Sequence, residues 1–229
     1  MTDGLWFRFQ RQPWVLYLLA IKPGRQNRAI FLDPVLLPGR EEVRHWRRVF
    51  RTMPPALTRR IRAVVCDNLR GMKRLVRRQG WGLRLCHLHL ISQLQARRGR
   101  RKPALPGTTT RELAYRLVWQ ALELPDGPRL VHVLQRLRRW QSRPCPSRRL
   151  RMVVREFLRE RDSFRAYRLY PDLELPATTN AVEAMGRLIR DLARQARNFR
   201  SPQALQQWAV AFVRRRPAIT CNGKHRQPN

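Results

Sequence analysis

Residues 61–90 read IRAVVCDNLRGMKRLVRRQGWGLRLCHLHL, and this stretch decides the fold class of the 229-residue chain. Ile61–Cys66 is a short continuous apolar run, as a strand covered on both faces would be. Asp67 stands at its C-terminal end. Gly71–Arg78 has helical spacing, Gly82–Leu85 reads as another short strand, and a helix follows from about His87 to Ala96. A helix joining two strands implies parallel pairing, so this part of the chain is α/β. A carboxylate just past a buried strand of such a sheet lies where ligands bind, although a loop aspartate capping the next helix would look the same.

Toward the N-terminus the pattern changes. Leu5–Phe9 alternates weakly, Trp14–Ile21 is an unbroken apolar run, and Lys22-Pro-Gly-Arg25 is a turn signal. Ala29–Leu36 is a third strand candidate in which Pro34 marks a bulge or an end. Short connections between three strands predict an antiparallel meander, followed by a helix over Glu41–Met53. The expectation is one mixed sheet with its first and fourth strands adjacent at the centre. Asp3 would then face Asp67, and Asp33 would point away.

Toward the C-terminus the chain becomes helical. Gly99–Gly107 is a basic connection. Arg111–Leu124, Leu130–Trp140 and Arg149–Arg161 read as helices, with Thr109-x-x-Glu112 as a capping box for the first. Trp119 and Trp140 suit a bundle core better than base stacking. Residues 176–201, PATTNAVEAMGRLIRDLARQARNFRS, then carry one acid above a line of cations. From Glu183, the residues Arg187, Arg190, Arg194 and Arg197 follow at alternating spacings of four and three. On a helix these share a face. Val182, Met185, Ile189, Leu192, Ala196 and Phe199 form the neighbouring apolar stripe, and Arg200 extends the basic track. An acid that holds a metal beside cations that hold phosphates suits phosphodiester chemistry. Asn180 and Glu183 also fit a capping box, with Glu183 folding back on the helix start. Ser201-Pro202 is a start signal for a last helix, Gln203–Arg215.

Composition sets the class of partner. The formal net charge is +34 with 43% hydrophobic residues, which describes a folded chain whose self-repulsion an anionic partner would offset. The charges run along the whole chain, which favours nucleic acid over a membrane surface. Of the 49 basic residues only Lys22, Lys73, Lys102 and Lys224 are lysine. Codon bias accounts for most of that ratio, and nucleic-acid binding accounts for the sign of the charge. Cys66, Cys86, Cys145 and Cys221 have no framework spacing, which suggests a reducing compartment. No secretory signal is visible, and the Trp14–Ile21 run is far short of the roughly 20 residues a membrane span needs. With few acids present, Glu41, Glu42, Glu112, Glu156 and Glu160 read as partners of nearby arginines on helix surfaces.

Three runs together support a resemblance: DGLWF from Asp3, VVCDNLRGMKRLVRRQGWGLRLCHLHL around Asp67, and LPATTNAVEAMGRLIRDLARQARNFRS around Glu183. The chain resembles the catalytic core of bacterial insertion-sequence transposases of the mutator-like DDE type. That family shares an aspartate-glycine at the first strand, an aspartate followed by a helix and a Cys-x-x-His, and a Thr-Thr-Asn-x-x-Glu opening a basic helix. The resemblance implies an RNase H-like mixed sheet with flanking helices and an all-α insertion before the last catalytic helix. It divides the chain into core residues 1–98, insertion 99–170, completing helices 171–216 and a disordered tail 217–229. Asp3, Asp67 and Glu183 would be the catalytic and metal-binding residues for two Mg²⁺ ions. Arg187, Arg190, Arg194, Arg197 and Arg200 would track DNA, namely element ends and target. Cys86, His89, Thr179 and Asn180 belong to the motifs without an assigned role; Cys86 and His89 alone are half a zinc site by spacing.

The implied activity is metal-dependent strand cleavage and strand transfer in a bacterial, nucleoid-associated cytoplasmic setting, with a homodimer as a family expectation. Family members carry a DNA-binding region before the first catalytic strand, whereas Asp3 here is almost at Met1. A shortened first strand and a truncated or decayed copy are therefore expected. The competing expectation is a basic nucleic-acid-binding protein without catalysis.

Overall fold

A computed structural model describes residues 1–24, 26–96, 108–143, 147–195 and 199–221. The chain is mixed α/β and divides into two units: Met1–Cys86 together with Tyr167–Asn229, and His87–Ala166 between them. The helix expected to end the first part of the core therefore groups with the helical residues that follow it.

The first unit begins with strands β1 (Thr2–Phe9), β2 (Gln12–Ile21), β3 (Arg28–Phe31) and β4 (Val35–Pro38). Helices α1 (Val43–Arg51) and α2 (Pro55–Thr58) follow, then β5 (Ala63–Cys66), α3 (Met72–Arg78) and β6 (Gly82–Leu85). The second unit holds α4 (His87–Gln95), α5 (Thr108–Glu123), α6 (Pro128–Ser142) and α7 (Arg148–Phe164). The turn α8 (Ala166–Leu169) leads back to the first unit, which closes with α9 (Asn180–Gln195), α10 (Pro202–Arg215) and β7 (Ala218–Thr220).

β2 is the centre of an antiparallel sheet in which β1 lies on one side and β3 and β4 on the other, with β7 against β3. Its apolar run is explained by burial on both faces. Val15, Tyr17 and Leu19 pack with Trp46, Val49 and Phe50 of α1 and with Val64 and Cys66 of β5. Leu16, Leu18 and Ala20 pack with Leu5 of β1 and with Val182, Met185 and Ile189 of α9.

Four expectations need correction. The single mixed sheet is absent among the described residues: β5 and β6 form their own two-stranded parallel sheet. β1 packs beside β5 without pairing to it. An apolar cavity of about 590 Å³ is lined by Met1, Thr2 and Ala20 together with Ala63, Val64 and Val65 of β5. The first strand is not short, since all eight residues of β1 pair with β2, and Asp3 lies inside it. The third expected strand is two strands. Pro34 stands in the gap, just before the second, and Gln206 of α10 satisfies the backbone there, its Nε2 donating to Pro34 O at 2.7 Å and its Oε1 accepting from Leu36 N at 2.5 Å. The tail is ordered as far as Cys221: β7 pairs with β3, and Cys221 N donates to Asn27 O at 2.6 Å. Residues 222–229 lie outside the described part.

In the helical unit Trp119 and Trp140 are both buried, and Trp140 Nε1 donates to Thr110 O at 2.9 Å, so the bundle-core expectation holds. α5 starts at Thr108, which puts Thr109 inside the helix and not at its cap. No described helix is long and apolar enough to cross a membrane.

Candidate functional site

β5 and β6 run in parallel with Val65 opposite Arg84 and Cys66 opposite Leu85. The pairing continues one step further, since Cys86 N donates to Cys66 O at 2.9 Å. Because side chains alternate, Asp67 and Cys86 belong to the face opposite Cys66 and Leu85. In β1, Asp3 sits across from Leu18 and Leu5 across from Leu16, and this face is covered by α9. Gly186 of α9 provides the closest approach: a Cβ there would meet Leu5 Cδ2 at 2.6 Å. Asp3, Asp67, Cys86 and Glu183 thus belong to one side of the first unit, the side α9 covers.

Cys86 is the hub. Its Sγ lies within 4.8 Å of an Asp67 carboxylate oxygen and 3.9 Å from Glu183 Oε1. Thr179, fully buried, donates its hydroxyl proton to Glu183 Oε1 at 2.6 Å. The same hydroxyl lies 3.2 Å from Cys86 Sγ. Thr179 N also donates to Cys86 Sγ, at 3.4 Å. The capping-box alternative is shifted by one residue: Glu183 does fold back on the helix start, but onto Thr179 and not Asn180. α9 already begins at Asn180, Asn180 N donates to Thr178 Oγ1 at 3.4 Å, and the Glu183 carboxylate meets Thr179 and Cys86. Thr178 and Thr179, read only as motif residues, are the pair that shapes the helix start.

Asp3 Oδ1 accepts from Gly4 N at 2.8 Å. Among the described residues no three carboxylates bring their oxygens within 4.8 Å of one another. Asp67 and Glu183 each have the Cys86 thiol as a neighbour. His89 stands in the first turn of α4, three residues beyond Cys86, so the Cys-x-x-His motif straddles the division between the two units.

On α9 the apolar stripe is buried at Val182, Met185 and Ile189, while Arg187, Arg190 and Arg194 are exposed. Arg194 is paired with Asp191 at 2.7 Å. Arg200 is exposed, and Arg197 lies outside the described residues. Asp33, the rival acid, is held by Arg214 through two contacts of 3.0 and 2.6 Å, and this guanidinium holds its carboxyl below the usual range.

Two residues escaped the sequence reading. Arg84 is buried, donates to the Leu175 carbonyl and lies 4.6 Å from the centre of the Tyr167 ring. Burial lowers its pKa to about 10. It ties β6 to the segment that leads into α9. A cation between Leu83 and Leu85, at an inward position, was the signal. Glu41, expected as a surface partner of arginine, instead accepts from Trp46 Nε1 at 2.9 Å and lies against Gly4, where a Cβ would meet its carboxyl carbon at 2.9 Å. Only a glycine in β1 leaves room for it, and that pairing is tertiary.

Cys66, Cys86 and Cys221 are free and buried. Comparison with protein-family models, with curated proteins and with solved structures finds no match.

Proposed function

We propose that the chain is the catalytic core of a DDE-type DNA transposase with an RNase H-like arrangement, acting on phosphodiester bonds with the help of divalent metal. The observation that carries this reading is that Asp67 and Glu183 each approach the Cys86 thiol, on the side of the sheets that Asp3 also faces. These acids come from three separate elements, and a shared position is unnecessary if each were only a surface or capping group.

Asp67 and Glu183 offer hard oxygen donors of the kind Mg²⁺ takes, whereas the Cys86 thiol is a soft donor that Mg²⁺ does not seek. Asp67, Glu183 and Asp3 would be the residues that hold the ions. Bound Mg²⁺ would supply activation of a water or a DNA 3′-hydroxyl and stabilisation of the leaving oxygen. Thr179 fixes one oxygen of Glu183 and so orients the other. Arg187 and Arg190, exposed along α9, suit phosphates by their fork geometry and position DNA without reading its sequence.

The test is nicking of supercoiled plasmid by the purified chain with Mg²⁺ or Mn²⁺. The proposal expects metal-dependent nicked circles that disappear in Asp67→Asn and in Glu183→Gln, while salt-sensitive DNA binding persists in both. One observation favours a second reading, a basic nucleic-acid-binding protein without catalysis: no three carboxylates are gathered at the site among the described residues. Binding without nicking in the wild type, unchanged by either substitution, would select it.

A further inference from the structure

The turn between β1 and β2 is strained. The strands pair up to Phe9 and Gln12, leaving the two-residue loop Gln10-Arg11. Both residues have positive φ, at 49° and 65°. Such loops favour Asn and Gly, which take this conformation with little strain. Here long polar side chains take it instead. Strain of this kind, once observed, raises the question of function.

Beside the turn is an open recess of about 700 Å³ lined by Trp6, Phe7, Arg8, Arg11, Pro13 and Arg40. Among the described residues the lining contains three arginines and no acid. All three arginines are exposed. Trp6 is 50% exposed although it sits within a paired strand. The frame is firm: Phe9 and Trp14 meet edge to face at 6.2 Å, and Gly39 N donates to Pro13 O at 2.8 Å, which brings Arg40 alongside the hairpin.

We infer that this recess binds unpaired nucleic acid, with the Trp6 indole stacking on a base and Arg8, Arg11 and Arg40 holding the flanking phosphates. An exposed indole has a face for any base but none to reach inside a stacked duplex, and arginine forks bind phosphate oxygens. A single strand is therefore the occupant, and duplex DNA is not. The inference rests on the nucleic-acid reading above and extends it to a surface on the hairpin, formed by none of the acids of the candidate site.

The test is fluorescence polarisation with a labelled oligothymidine strand and with a labelled duplex of equal length. The variants are Trp6→Ala and Arg11→Gly. Trp6→Ala is expected to weaken single-strand binding by roughly 5- to 100-fold and to leave duplex binding within about 2-fold. Arg11→Gly is expected to raise the melting temperature, because glycine relieves the positive φ, while lowering single-strand affinity. It should also reduce the slope of log K against log salt by about 0.7. A simple folding defect would lower affinity and melting temperature together, so the opposite movement separates binding from stability. If the wild type binds both probes and neither variant changes single-strand binding, the inference falls while the nucleic-acid reading stands. Equal loss on strand and duplex also overturns it, since the surface would then be a general phosphate contact. If the wild type binds neither probe, both readings fall.

Discussion

Gly186→Ala tests whether the helix carrying Glu183 is seated on the strand carrying Asp3. An alanine at a helix interior is worth about 1 kcal/mol over glycine. The new Cβ would stand 2.6 Å from Leu5 Cδ2 and 3.4 Å from Cδ1. Leu5 has no exposed surface and packs among Leu16, Leu18, Met185 and Ile189, so it has no room to swing aside. Overpacking of this kind costs about 1–3 kcal/mol. The clash outweighs the helix gain, and the expected result is a net loss of about 1 kcal/mol. The assay is urea unfolding followed by circular dichroism, in which the midpoint should fall with the slope unchanged. In a Leu5→Ala background the clash is gone, and the same Gly186→Ala change should stabilise by about 1 kcal/mol. If Gly186→Ala stabilises the otherwise native chain, Leu5 is not pressed against α9, and the shared side for Asp3 and Glu183 is wrong.

Further predictions concern the supports of the fold. The Arg214 guanidinium depresses the folded-state pKa of Asp33, so the stability this pair contributes is full above the ordinary carboxylate range. It is lost as pH falls through the depressed value, so melting temperatures of wild type and Asp33→Asn should differ at pH 6 and converge in strong acid. Arg84→Met leaves the Leu175 carbonyl without its buried donor and should cost about 1–3 kcal/mol in urea unfolding. It should also speed hydrogen exchange at Thr178 and Thr179, whose approach segment it releases. Gly4→Ala brings a Cβ to 2.9 Å from the Glu41 carboxyl carbon, which Trp46 holds in place, and should cost about 1 kcal/mol. That loss should vanish in a Glu41→Ser background; a loss that persists there would place its origin elsewhere.

Much of the fold was legible because its signals are local. The apolar run of β2, the strand–helix–strand of residues 61–85 and the Ser201-Pro202 start of α10 each announce themselves within a few residues. The cap at Ser201 is present as expected, accepting from Ala204 N at 3.1 Å. What failed was tertiary. Whether β1 pairs with β5 is decided by how separate segments pack, which no local pattern announces. β7 exists because the edge of β3 offers it a partner, and nothing in Ala218-Ile-Thr220 alone requires that. At the site, the carboxylates were named from motif, but the role of Cys86 as their common neighbour required the register of β5 against β6. Glu41 was misread because its neighbours in sequence are charged, while its partners Gly4 and Trp46 are set by the packing of α1 on the sheet.

Crystals soaked in Mn²⁺ and measured at its absorption edge test the central claim most directly. The account predicts an anomalous peak bounded by carboxylate oxygens of Asp67 and Glu183, absent from crystals of Asp67→Asn. A chain with no Mn²⁺ peak at that position, or with a peak that persists in Asp67→Asn, would contradict it.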